Sequence, residues 1–421
     1  MASSSGKALA GDLAWNYASI AVLAASGLAF NLIVAGSYDA DALGVFNLAY
    51  SVYLLASQLA SAGVHMSVLR HCAQGDRTQS RQHLQAGLAA SAITAVLVAG
   101  AAYGIFAAGG ALWPSARWQA LNALPPALVF FALNKVALNY LNARGRMRAY
   151  AVLQAARFIM IGAALAGLAA GRVPAYALTY CFAIAEAVLA IGTLAVFAAR
   201  GILTPARPPA QLIRSHLAFG VKIMPANLVL EFNTKIDLIV LSLLTGNDTL
   251  VGHYSFASLF VEGFYQVFVV VRRQINPSLA RLEHGGTVDR AQFASLRAKL
   301  VRWVLPAGLV AAAALVGIYQ TIPYLTGDPA FRSATWPLAL MLVTIALTTV
   351  PVTLGNLLNQ TGYPADESKV NVAAAGANLL ISLALVRAFG MWGASVAVAA
   401  SYIVFGVTLR WAASKRLGIK V

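Results

Sequence analysis

Apolar residues in this chain come in long unbroken runs, not in the alternation of a half-buried strand or the one-sided stripe of a soluble helix. Twelve runs are long enough to cross about 30 Å of hydrocarbon as helices. They fall at about 13–35, 43–70, 84–108, 118–142, 150–170, 174–199, 216–244, 251–271, 303–322, 332–360, 368–386 and 391–411. The pattern predicts an all-α integral membrane protein of about twelve transmembrane helices. The seventh run breaks the rule, because between His216 and Leu244 it carries Glu231, Lys235 and Asp237. Asn227, Glu231 and Lys235 follow i, i+4, i+8, and Asn233 and Asp237 form a neighbouring i, i+4 row, so the helix bears a polar stripe. Charge at membrane depth is costly and belongs against a wet cavity or a partner. The plainer alternative is an internal Glu231–Lys235 ion pair that only holds helices together.

Composition agrees with the pattern. Of 421 residues, 60% are hydrophobic and 10% charged, and the mean hydropathy is +0.73, too apolar for a soluble domain of this size. A net charge of +16 raises nucleic acid as a partner, but a nucleic-acid binder gathers its basic residues into a patch or motif. Here Lys and Arg recur between the runs, in clusters around Arg70–Arg81, Arg144–Arg148, Arg200–Arg214, Arg272–Arg302 and Arg410–Lys420. The intervening loops are short and carry Asp39, Asp41, Asp248 and Asp328. That asymmetry places both termini in the cytoplasm. The segment Met1–Asp12 lacks the basic start of a signal peptide, so the first run reads as an uncleaved helix. Cys72 and Cys181 give no disulfide framework, and Trp15, Trp113, Trp118, Trp303, Trp336, Trp392 and Trp411 fall near span ends, as interface anchors do.

The chain echoes itself. Asn31-Leu-Ile-Val parallels Asp237-Leu-Ile-Val, Asp41-Ala-Leu-Gly44-Val-Phe46 parallels Asp248-Thr-Leu-Val-Gly252-His-Tyr254, and Leu141-Asn-Ala-Arg-Gly145 parallels Leu358-Asn-Gln-Thr-Gly362. Three colinear matches predict two six-helix halves of the same orientation, 1–200 and 216–421. Residues 201–215, with Pro205, Pro208 and Pro209, form a cytoplasmic linker, and a central cavity is expected between the halves.

Enzyme signatures are missing: there is no Walker A loop, no H-E-x-x-H, no Cys-x-x-Cys, and the six histidines are scattered. The expectation is therefore no catalytic residue, no metal and no cofactor. The residues that could carry function lie within the spans. Lys135, Arg157 and Lys235, with the polar Asn31, Asn233 and Gln266, are the candidate substrate-binding set. Asp237, Glu262, Glu231 and Glu186 would balance those charges or carry a coupling ion, H+ or Na+. Counted from the outer surface at 1.5 Å per residue, Lys235 and Glu262 reach similar depth and can pair. For Lys135 and Arg157 the competing reading is a long side chain reaching the interface, or a structural ion pair. Cations in a membrane cavity suit an anionic headgroup whose lipid tail stays in the bilayer.

The sequence resembles the Wzx-type polysaccharide flippases (O-antigen or exopolysaccharide repeat units) of the multidrug/oligosaccharidyl-lipid/polysaccharide exporter superfamily. The resemblance rests on Asn233-Thr-Lys235-Ile-Asp237-Leu-Ile-Val-Leu, Val251-Gly252-His-Tyr254-Ser-Phe-Ala257, Leu43-Gly44-Val-Phe46, Ala62-Gly63-Val with Arg70, Leu358-Asn359-Gln-Thr-Gly362, Asn378-Leu-Leu, and Gly390-Met-Trp-Gly393-Ala394-Ser, in order along nearly the whole chain. It implies a multi-pass protein of the bacterial inner membrane that moves polyprenyl-diphosphate-linked oligosaccharide to the periplasmic leaflet by alternating access. The glycan polymerase and chain-length regulator are the implied partners, with no nucleic acid. The family's basic residue two positions before an acidic one in span seven maps onto Lys235 and Asp237. Lys135 and Arg157 come from depth and charge alone. The rivals are a drug or metabolite antiporter of the same superfamily, the lipid II flippase, which typically has two further helices, and a membrane-embedded glycan polymerase or ligase, which usually needs a larger outward loop.

Overall fold

The computed structural model describes residues 22–23, 25–113, 115–204, 207–280, 283–284 and 287–419. The start of the first expected span, the signal-peptide question, Trp15, Pro205 and Lys420 lie outside them. Among the described residues the secondary structure is helical apart from a hairpin of two-residue strands, Glu283–His284 with Thr287–Val288. Internal contacts divide it into two compact units, one ending at Glu231 and the other starting at Phe232.

The first unit holds α1 (Ala25–Ser37), α2 (Ala40–Ser61), α3 (Val64–Gln74), α4 (Arg77–Leu112), α5 (Ala116–Asn122), α6 (Pro125–Ala143), α7 (Met147–Ala170), α8 (Tyr180–Ala199) and most of α9 (Ala210–Thr245). The second unit takes the end of α9 and then α10 (Asp248–Ala280), α11 (Arg290–Lys299), α12 (Leu305–Tyr319), α13 (Ile322–Thr326), α14 (Thr335–Leu347), α15 (Thr349–Thr353), α16 (Leu357–Gln360), α17 (Pro364–Phe389) and α18 (Met391–Leu417). Among the described residues nine helical segments are long and apolar enough to cross a membrane, ten if α5 and α6, bent by 40°, count as one. Two more expected runs correspond to α1, which is short, and α9, whose apolar stretch carries Lys222, Glu231, Lys235 and Asp237.

Leu97 and Ile105 on α4, Ile191 on α8, Val310 on α12, Leu380 on α17 and Val407 on α18 are all more than 60% exposed. Bare branched side chains spread over these five long helices are what lipid, not water, tolerates. The protein is multi-pass in a membrane.

Several expected spans are broken, and each break has a local cause. The run 43–70 becomes α2 and α3 because Ala62 and Gly63 both adopt left-handed backbone (φ 43° and 69°), which no helix continues. The run 118–142 breaks before Pro125, which lacks the amide hydrogen needed to extend α5. The run 332–360 splits into α14, α15 and α16. There the Val352 carbonyl, which accepts from Gly355 N–H (3.3 Å), also accepts two bonds from the Arg272 guanidinium, at 3.0 and 2.6 Å. A Cβ at Gly355 would stand 2.9 Å from that guanidinium carbon, so glycine makes room for it. Arg272, one of the cations counted between the apolar runs, thus satisfies a carbonyl of a broken helix.

The repeated sequence motifs fold alike. In the first unit, Arg146 N–H donates to the Leu141 carbonyl (2.9 Å) and Gly145 N–H to that of Asn142 (3.0 Å). In the second, Tyr363 N–H donates to Leu358 (2.7 Å) and Gly362 N–H to Asn359 (3.3 Å). Gly145 and Gly362 both have positive φ (66° and 85°), the conformation a helix stop of this kind requires. The second helix of each repeat is also capped alike. The Asp39 carboxylate accepts from Ala42 N–H at the start of α2, and the Asn247 side chain from Leu250 N–H at the start of α10.

Candidate functional site

The charged residues of the spans gather into separate networks within each unit. In the first, Glu186 on α8 is fully buried and faces Arg157 on α7, with Nε to Oε1 at 2.5 Å. Tyr53 on α2 donates its hydroxyl to the same carboxylate (2.7 Å) and accepts from Arg157 Nη2 (2.8 Å). Asn134 on α6 donates to Glu186 Oε2 (2.7 Å) and to its backbone carbonyl (2.9 Å). Phe131 covers the guanidinium at 4.6 Å, and Phe182 stacks on Tyr53 at 5.0 Å. Both Glu186 oxygens and two of the three Arg157 nitrogens are hydrogen-bonded, and additional bonds of this kind are what let a buried ion pair hold. Arg157, expected as a substrate-facing cation, is thus neutralised on the spot by Glu186, and Glu186 is its counter-charge.

Lys135 stands next to Asn134 on α6 but has a different setting. Its ammonium donates to the neutral Gln58 side chain on α2 (2.8 Å), and Gln58 in turn donates to Glu231 on α9 (3.4 Å). Phe131 also lies 5.3 Å from Lys135 Nζ, so two cations share one aromatic ring. Lys135 is only partly buried, so it presents a positive charge held by an amide, a partner that an anionic headgroup can displace. Asn31 on α1 is buried and occupied, donating to the Gly27 carbonyl and accepting from Asn47 (both 2.8 Å).

In the second unit Lys235 on α9 is buried and bonds Glu262 on α10 directly. That carboxylate side chain is 44% exposed. Asp237, two positions on and buried, accepts the hydroxyl of Tyr254 on α10. Asn233 has its backbone carbonyl bonded by Asn378 on α17 (3.3 Å), while its side-chain oxygen is buried without a partner. An orphaned acceptor at membrane depth marks a place for water or a ligand group. Gln266 lies exposed on α10, one turn beyond Glu262.

The geometry therefore brings together Arg157 with Glu186, Lys235 with Glu262, Asp237 with Tyr254, and Lys135 with Glu231 through Gln58. Sequence reasoning passed over Tyr53 and Gln58, although Gln58 is a polar residue inside an otherwise apolar run, which is the signal that singled out the others. Tyr254 stood in a quoted motif but received no role.

Such a molecule belongs to the class of polytopic helical membrane proteins with charge built into their spans. Solved structures narrow the fold further. A lipid II flippase, MurJ, in an inward closed conformation matches 96% of this chain and 87% of its own, with TM-score 0.75 at 14% identity. An inward-facing multidrug resistance MATE family transporter of the MOP superfamily matches 93% of both chains (TM-score 0.65, 13% identity). The eukaryotic MATE transporter AtDTX14 matches 95% of both (TM-score 0.57, 13% identity). No family model matches the chain, and no curated protein sequence does. At these identities the likeness is one of fold. The chain shares its fold with that lipid II flippase and with those MATE transporters.

Proposed function

We propose that this protein is a flippase that moves polyprenyl-diphosphate-linked oligosaccharide repeat units from the cytoplasmic to the periplasmic leaflet of a bacterial inner membrane, for cell-surface polysaccharide synthesis. The observation that carries the reading is the contrast in how the span cations are held. Lys135 leans on a neutral amide and Lys235 on a half-exposed carboxylate. Lys135 gains by exchanging its amide for a phosphate oxygen, since a charge-assisted bond is stronger than the one it replaces, and Lys235 exchanges one charge-assisted bond for another at a carboxylate that water reaches. Likeness of fold to a lipid II flippase supports a lipid-linked glycan as the cargo. Asn233 is assigned to the headgroup's polar body, and Asp237 and Glu262 to charge balance or to a coupling proton or sodium ion. Arg157 and Glu186 are assigned to fixing the wall beside Lys135. The polymerase and chain-length regulator of the same glycan are the proposed partners.

The test is lipid analysis of a deletion strain, with leaflet sidedness read by an impermeant probe. The expected result is polyprenyl-diphosphate oligosaccharide accumulating on the cytoplasmic leaflet, restored to normal by the wild-type gene and not by Lys135→Ala or Lys235→Ala present at normal abundance. Accumulation on the outer leaflet would instead indicate a polymerase or ligase. A second reading, a cation antiporter, draws on the MATE-like fold and the buried Asp237. It requires no lipid accumulation and a changed sensitivity to cationic dyes.

A further inference from the structure

The six histidines are scattered in sequence, yet three of them meet. His71 near the end of α3, His83 in the first turns of α4 and His216 in α9 each bring a ring nitrogen to within 4.8 Å of the others. We propose that they form a binding site for a divalent transition metal of the zinc class, which ties the start of α9 to the α3–α4 hairpin. This is independent of the flippase reading.

The backbone makes the meeting obligatory. Asp76 and Gln79 form a reciprocal capping box that fixes the turn from α3 into α4. Ser80 and Cys72 clip the same turn, Ser80 Oγ to the Cys72 carbonyl at 3.2 Å and Cys72 Sγ to the Ser80 carbonyl at 3.4 Å. His71 and His83 are thereby stacked, with ring centroids 4.8 Å apart. Helix α9 arrives through a glycine contact: a Cβ on Gly220 would lie 2.3 Å from the Ala62 carbonyl oxygen, and one on Gly63 2.5 Å from that of Gly220. One turn from each glycine stand Ser67 and His216.

The side chains are oriented for coordination. His71 Nδ1 bonds the Ser67 carbonyl (2.8 Å), and His216 Nδ1 bonds the Ser67 hydroxyl (2.8 Å). Ser67 thus holds two imidazoles by Nδ1 and leaves each Nε2 to act as a ligand, the outer-shell arrangement that metal-binding histidines use. His83 Nδ1 lies 3.2 Å from His216 Nε2. Two nitrogens on one tetrahedral zinc, each at about 2.0–2.1 Å, stand roughly 3.3 Å apart. In the metal-free state one N–H is shared between these two rings, and His83 takes its other tautomer when the metal replaces that proton. The nearby cation Arg70 is stacked on Phe219 at 5.4 Å. Three neutral imidazoles select zinc, cobalt, nickel or copper over magnesium or calcium, and a fourth position is left for water or another ligand.

The test uses untagged full-length protein in detergent, stripped with a chelator and titrated with Zn2+ against a chromophoric competitor, and separately with Co2+. The expected result is one metal per chain, a tetrahedral Co2+ visible spectrum, and a zinc-dependent rise in melting temperature. His83→Ala and His71→Ala should abolish all three. Ser67→Ala should keep the stoichiometry but weaken binding by about 10–100-fold. His216 is the most buried of the three, so the more accessible His83 and His71 carry the test if His216→Ala fails to fold. Absence of stoichiometric metal, or binding that survives both variants, would overturn the proposal. So would a melting transition that follows pH through these histidines and ignores zinc.

Discussion

Two ion pairs inside this membrane protein look alike in sequence and differ in construction. Arg157–Glu186 is closed: the side chains are 15% and 0% exposed, and Tyr53 and Asn134 complete the hydrogen bonding. Lys235–Glu262 is open: the lysine is 10% exposed, but the carboxylate is 44% exposed. A charge that cannot reach solvent when its partner leaves must keep that partner, whereas one at the edge of a wet space can trade it. On the proposed reading the closed pair belongs to the architecture and the open one to the cargo's path. Guanidinium in the first and ammonium in the second fit the same division, since the fork of Arg is preorganised for a fixed carboxylate and the Lys stem is flexible.

Matched substitutions separate the two most strongly in stability. Arg157→Met leaves Glu186 buried and uncompensated, and is expected to cost about 3–5 kcal/mol. Protein abundance in the membrane and the melting temperature in detergent should both fall. Lys235→Met leaves a carboxylate that water can reach, so its stability cost should be about 1 kcal/mol or less, while glycan export is lost. Equal destabilisation by the two changes would erase the distinction between closed and open pairs. The double change Arg157→Met with Glu186→Leu sharpens it, because removing both charges together should recover most of the stability lost in the single variant. Next in size, Tyr53→Phe removes two bonds to charged groups and should cost about 1.5–3 kcal/mol by thermal or denaturant unfolding, with export reduced only in proportion to protein level.

What the sequence made legible follows the same line. Long apolar runs are local signals, and they emerge in the structure as helices; the Gly145 and Gly362 motifs, legible as an echo, emerge as like helix stops. The meeting of Lys235 with Glu262 was readable too, because depth along a straight helix is a simple count. Breaks were not. Ala62 carries no mark of left-handed backbone, and nothing adjacent to Arg272 in sequence reveals that the Val352 carbonyl awaits it. The partner of Arg157 was not legible either: a lone cation in a span leaves a binding role and a structural ion pair equally open until Glu186, 29 residues away, is seen at 2.5 Å. The histidines were dismissed as scattered because the Gly63–Gly220 contact that unites them joins helices 149 residues apart at Ser67 and His216.

Lys135 supplies the finest test, because the difference between closed and open there is one atom of Gln58. As an amide, Gln58 accepts from Lys135 and donates to Glu231, and it holds the ammonium without neutralising it. Gln58→Leu removes both bonds and should lower stability by about 1 kcal/mol, with export slowed but measurable. Gln58→Glu keeps the shape and gives Lys135 a carboxylate, making it resemble Arg157. Crowding Glu231 with a second acid opposes the gain from the new pair, so stability should change little, yet export should fall further than in Gln58→Leu because the cation is now satisfied. Export and melting temperature measured side by side decide the matter. A Gln58→Glu variant that exports at the wild-type rate would mean that the charge on Lys135 is not what the cargo meets.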